Sequence, residues 1–88
     1  MKNGWVKRGS CTYHYVNDLL HNDTGPAVVS GLRAEYWYKY GKRHREDGPA
    51  VINKFGKAWC YEDKFIGSSL YGFTQEKFNS WLKLKAFI

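Results

Sequence analysis

Two histidines, His21 and His44, have the residue types and surroundings that could do chemistry, since each is followed closely by an acidic residue, Asp23 and Asp47. Imidazoles beside carboxylates suggest a metal site or acid–base work. Their spacing points elsewhere. The two histidines stand 23 residues apart inside copied segments, and separation by two strands at the usual spacing would put them about 10 Å apart, too far to share one ion. A histidine required in every copy is most simply one that orders a loop, by bonding a backbone group or the following carboxylate. Cys11 has no neighbouring His, no CxxC spacing and no helix N-terminus to lower its pKa, and Cys60 has no base to pair with. Both cysteines read as small buried hydrophobes. Adjacent acids occur at Glu46 and Asp47 and at Glu62 and Asp63, but neighbours on an extended strand point to opposite faces. With no phosphate loop, GxSxG or HExxH motif in the sequence, we expect no catalytic residue, no bound metal and no cofactor.

Binding chemistry is better represented. The 88 residues carry 14 Lys and Arg against eight Asp and Glu, a formal charge of +6, which favours an acidic protein face, nucleic acid or anionic lipid and equally serves solubility. Sixteen aromatics, four Trp, seven Tyr and five Phe, supply the apolar area a single small domain needs to fold. Tyr36, Tyr38 and Tyr40 alternate with Glu35, Trp37 and Lys39, so a strand here has one tyrosine face. Rows of Tyr13, Tyr15, Tyr36, Tyr38, Tyr40, Trp59 and Tyr61 are expected on one side of a sheet, with Trp37 on the other. One of these faces is expected to be core and the other an interaction surface. The candidate partner-binding residues are Tyr36, Trp37, Tyr38, Lys39, Tyr40, Arg43 and Arg45.

The elements that position them come from a repeat. Gly25-Pro26-Ala27-Val28-Val29 returns as Gly48-Pro49-Ala50-Val51-Ile52, and Tyr13-His14-Tyr15, Tyr36-Trp37-Tyr38 and Trp59-Cys60-Tyr61 fall on the same 23-residue register. Such a period marks an array of one supersecondary unit. In this register Cys60 takes the place of Trp37, and His14 the same place one unit earlier. Alternation over residues 36–40 and the short run Ala50-Val51-Ile52 between turn-forming residues predict a strand, a wide loop, a short strand and a tight turn. Pro26 and Pro49 are expected to open the short strands, and Gly25 and Gly48 to adopt conformations that a Cβ would obstruct. Residues 1–10 predict an edge segment with a short strand before Cys11.

The third unit lacks Gly-Pro-Ala, and the array is expected to end there. Thr74 is the expected N-cap of a helix from 75 to about 85, with Phe73 stapling onto Phe78. Phe78, Trp81 and Leu82 form its apolar stripe. The helix should cover the end of the sheet, although Trp81 and Phe87 are alternatively available to a partner. The fold class is therefore mainly β: one domain, 1–88, with an edge segment (1–10), hairpin repeats (11–67) and a linker with capping helix (68–88).

The run Trp37-Tyr38-Lys39-Tyr40-Gly41-Lys42-Arg43-His44-Arg45-Glu46-Asp47-Gly48-Pro49-Ala50-Val51 resembles the W-Y-x-x-G-K-x-H-R-x-D-G-P-A-V unit of MORN-like repeat proteins. The first unit is a weaker copy, with His14, Asp18 and Asn22 where the pattern has Trp, Gly and Arg. The segment from Phe73 to Leu82 resembles the T-x-E-x-F-x-x-W ending of such arrays. The resemblance covers about residues 11–82 and implies an antiparallel meander of repeated hairpins that contacts proteins or lipids. Arrays of this subtype resemble bacteriophage and bacterial proteins. By analogy that implies a phage-encoded, non-catalytic inhibitor of a host enzyme or anti-phage, restriction-type complex. The expected partner is a host protein; the alternative is nucleic acid bound by the tyrosine rows with Lys39, Arg43 and Arg45. Membrane association is the weaker expectation, and a homodimer through an open sheet edge is a further option. With no apolar leader, no long apolar span and two cysteines, a cytoplasmic setting is expected, the host's if phage-encoded.

Overall fold

The chain folds back on itself wherever two consecutive residues can turn it. In the computed structural model, which describes residues 1–31 and 33–86, β1 (Gly4–Arg8) and β2 (Cys11–Val16) form a hairpin that pairs Arg8 with Cys11 across Gly9 and Ser10. This is the edge strand expected before Cys11. β2 then turns at Asn17 and Asp18 (φ +50° and +68°) into β3 (Leu19–Leu20). Two residues with positive φ make the type I′ geometry that matches strand twist. A wide loop, residues 21–27, carries the chain to β4 (Val28–Ser30), which pairs with the other end of β2.

The second unit repeats this layout. β5 (Glu35–Tyr36) and β6 (Tyr38–Lys39) flank Trp37, and the turn at Tyr40 and Gly41 (φ +51° and +82°) leads into β7 (Lys42–Arg43). Residues 44–50 form the second wide loop, β8 (Val51–Asn53) pairs with β5, and a tight turn leads to β9 (Gly56–Tyr61). β10 (Lys64–Ser68) pairs with β9 across Glu62 and Asp63 (φ +46° and +70°). Among the described residues the main sheet runs β1-β2-β4-β5-β8-β9-β10, every pairing antiparallel. The mainly β meander expected from the repeat is what the chain forms, closed by α1 (Gln75–Lys85).

The third unit departs from the 23-residue register. Val28 pairs with Tyr36, but its counterpart Val51 pairs with Ala58, one residue earlier than the repeat predicts. Two pairs of backbone ties confirm a 22-residue step from the second unit to the third. Asn22 N–H donates to the Tyr38 carbonyl and Arg45 N–H to that of Cys60; Gly41 N–H donates to Leu20 and Asp63 N–H to Arg43. Trp59, not Cys60, is therefore the counterpart of Trp37, and Cys60 that of Tyr38. Because directly paired residues share a face, a one-residue slip moves the side chains to the other side of the sheet. Trp59 and Tyr61 thus lie on the Trp37 face rather than in one row with Tyr13 and Tyr36. The continuous aromatic row expected from the sequence is broken.

Packing follows these faces. The helix side chains meet the sheet at Trp59 and Tyr61: Trp59 Nε1 donates to Gln75 Oε1 (2.7 Å), and the Trp81 ring lies 5.4 Å from that of Tyr61, edge-on. Phe78 is fully buried and stacks on Trp81. Thr74 caps the helix as expected, its hydroxyl accepting from Lys77 N–H at 3.3 Å. Phe73 packs edge-on against Trp59 and over Gly67, where a Cβ would strike its ring. Ala27 and Ala50, completely buried, anchor the ends of the wide loops. Pro26 and Pro49 sit in those loops, two residues before β4 and β8, rather than opening the strands. Phe87 lies outside the described residues.

Candidate docking surface

Each wide loop is built around a histidine. The Tyr40 backbone N–H donates to His21 Nδ1 (2.9 Å), and the same ring meets Asp23 Oδ1 through Nε2 (2.9 Å). In the next unit Glu62 N–H donates to His44 Nδ1 (3.0 Å) and Nε2 meets Glu46 Oε2 (3.2 Å). A Nδ1 that accepts carries no proton, so Nε2 is the donor to the carboxylate. Both nitrogens of both rings are occupied in ordering the loop and the following turn. His44 takes Glu46 rather than the expected Asp47, which is held by an arginine.

That arginine is Arg45. Its guanidinium lies 3.7 Å from the Trp37 ring centroid, Nε donates to Asp47 Oδ1 (3.0 Å) and Nη1 to the Pro49 carbonyl (3.1 Å). The hydrogen bond from Arg45 holds the Asp47 carboxyl below its ordinary value. Gly48 is required by this stack and not by its backbone angle: a Cβ there would come within 2.6 Å of the guanidinium carbon. Gly25 needs no such space, because Asn22 replaces the arginine and a Cβ would reach its Nδ2 only at 3.7 Å. Asn22 nevertheless makes the same tie, Nδ2 to the Pro26 carbonyl at 3.0 Å.

The candidate residues are dispersed by this arrangement. Trp37, Tyr38, Lys39 and Arg45 border a cleft of about 250 Å³ between the two wide loops, whose other wall includes Asn22 and Asp23. Lys39 and Tyr40 line a second cleft of about 340 Å³ with Lys42, His44 and Glu62. Tyr40 is 65% exposed, its ring over that of His21 at 4.3 Å. Arg43 is exposed and borders neither cleft; its backbone N–H donates to Asp63 Oδ1 (2.8 Å). Tyr36 is directly paired with Val28 and Val51 on the opposite face from Trp37. Lys42 is a neighbour that the sequence pattern did not single out. It stands directly opposite Lys39 in the β6–β7 ladder, and the signal for it is the two-residue turn at Tyr40 and Gly41.

Among the described residues Arg45 is the one lysine or arginine in an ion pair, and every other such side chain is exposed. Lys39 and Lys42 face each other with neither in an ion pair, and like charges directly opposite destabilise an isolated ladder. Burial pushes the Cys60 thiol up, away from the reactive thiolate. The described residues hold no cluster of three metal-ligating side chains, and no helix among them is long and apolar enough to cross a membrane. No protein-family model matches the chain, and no curated protein or solved structure does.

Proposed function

We propose that this chain is a non-catalytic docking module of MORN-like type that binds an acidic partner protein at the end of the sheet formed by β6, β7 and the adjoining wide loops. The observation that carries the proposal is the division of labour among charged groups. Arg45 and both loop histidines are consumed in holding the scaffold, whereas the side chains of Lys39, Lys42 and Arg43 are exposed and in no ion pair among the described residues. Uncommitted cations around an exposed tyrosine favour an anionic protein face, with aromatic and basic anchors at its centre. Cys11 and Cys60, both unbridged, suit the cytoplasm, where a host enzyme or defence complex would be met as the resemblance implies.

Capture tests this. The immobilised full chain should retain a specific acidic protein from nuclease-treated host lysate. Reversing Lys39 and Arg43 to Glu should release it, while reversing Lys83 and Lys85 should not. Loss of capture after nuclease would instead point to nucleic acid, and equal capture by all variants would refute the placement.

A further inference from the structure

The turns at Asn17 and Asp18, at Tyr40 and Gly41 and at Glu62 and Asp63 are tied to the preceding segment by the same pattern of bonds, with one bond missing. The first turn residue donates its N–H to a side chain of that segment: Asn17 to Asn3 Oδ1 (2.9 Å), Tyr40 to His21 Nδ1 (2.9 Å) and Glu62 to His44 Nδ1 (3.0 Å). The second donates to a backbone carbonyl: Asp18 to Lys2 (2.9 Å), Gly41 to Leu20 (2.8 Å) and Asp63 to Arg43 (2.9 Å). The third bond comes back from that same residue, whose own N–H donates to the carboxylate of the turn, Lys2 to Asp18 Oδ1 and Arg43 to Asp63 Oδ1 (2.8 Å). In the middle turn Gly41 holds the place of the acid. Leu20 N–H points toward it nonetheless. His21 N–H donates to the His14 carbonyl, so the neighbouring pair, Tyr15 and Leu20, is the one whose N–H and C=O groups turn outward.

Space and charge both mark this gap. A Cβ on Gly41 would meet one atom, Leu19 Cδ2 at 3.4 Å, so the room that an aspartate takes in the other turns is open here. The residues flanking the three turns pair as Val16 with Leu19, Lys39 with Lys42 and Tyr61 with Lys64. The doubled positive charge thus falls on the one turn of the three that has no acid of its own, where it is unfavourable until an anion neutralises it. We infer that the Gly41 turn is a carboxylate-binding notch: an Asp or Glu side chain of the partner protein accepts from Leu20 N–H, as Asp63 accepts from Arg43 N–H, with Lys42 and Lys39 beside it. A charged acceptor makes this bond stronger than a neutral one. Glu62 lines the cleft that Lys39 and Lys42 border, and its carboxylate disfavours a polyanionic strand over a single acidic side chain. The inference rests on the docking function proposed above and adds the group that is recognised.

The probe is sodium acetate, titrated into the intact protein against sodium chloride and sodium phosphate at equal ionic strength and followed in a proton–nitrogen spectrum. Acetate should move the Leu20 amide proton downfield and leave that of Arg43, already bonded to Asp63, in place. Gly41→Asp should supply the carboxylate from within, so that the Leu20 amide starts downfield and no longer responds. The turn accepts this change, since Asp18 and Asp63 hold the same position at φ +68° and +70°. In lysate capture Gly41→Asp should weaken retention of the acidic protein about tenfold or more, whereas Gly9→Asp, the same charge change in the distant β1–β2 turn, should not. A Leu20 amide unmoved by acetate, or moved equally by chloride, overturns the inference. So does equal weakening by Gly41→Asp and Gly9→Asp, which would leave only long-range charge, and a larger shift with phosphate than with acetate would give the notch to a phosphoryl group instead. If reversal of Lys39 and Arg43 releases the captured protein but Gly41→Asp retains it, docking stands and the notch fails. If acetate moves Leu20 but no protein is captured, the notch stands and the docking function fails.

Discussion

Arg45 joins the chemistry of the repeat to its stability. Its guanidinium touches an indole, a carboxylate and a carbonyl at once, so a residue that looks from sequence like a free basic contact is a strut of the wide loop. Gly48→Ala would drive a methyl group into that guanidinium and should cost about 1–3 kcal/mol. In an Arg45→Ala background most of that cost should vanish, because the pair is coupled; urea denaturation of the four proteins gives the coupling. Asp47 adds a pH dependence. Its folded-state value is depressed, chiefly by the hydrogen bond from Arg45, so its contribution is present above the ordinary carboxylate value and is lost as pH falls through the depressed one. Asp47→Asn should accordingly lose less stability than the native protein when melts are followed from neutral pH into acid.

At the scale of elements the sequence announced the hairpins, the edge strand and the capped helix, because those depend on local alternation, turn residues and a Ser/Thr cap. Two things were not legible. The type I′ turns fall on Tyr40 and Gly41 and on Glu62 and Asp63, and neither Tyr nor Glu advertises a positive φ; the tie to a histidine Nδ1 one unit back holds them there. Glu62→Asn should therefore raise stability by about 0.5–1 kcal/mol in urea melts, since asparagine tolerates that φ and the backbone bond to His44 is kept. The second is the slip in the third unit. Similar aromatic triplets 23 residues apart hid a structural step of 22, set by the turn at Lys54 and Phe55, which leaves four residues (53–56) between Ile52 and its partner Lys57 where five (30–34) separate Val29 from Glu35. In the 23-residue alignment Cys60 falls under Trp37, whereas the hydrogen-bond register places Trp59 there.

As a whole the molecule is a thin slab, 38 × 29 × 17 Å, in which the described residues form a main sheet, the small β6–β7 ladder and a covering helix, and the chain carries a strongly positive charge. Its scaffold is made by what the units share, the histidine ties, the buried alanines and the loop closures to Pro26 and Pro49. The docking proposal rests on what they do not share, the facing lysines of β6 and β7. Hydrogen–deuterium exchange of the chain alone and in complex with its captured partner tests this division most directly. Slowed exchange concentrated in residues 37–47, with β1 and α1 unchanged, is the predicted result. Protection confined to β1 or to α1, with residues 37–47 exchanging as in the free chain, would contradict it.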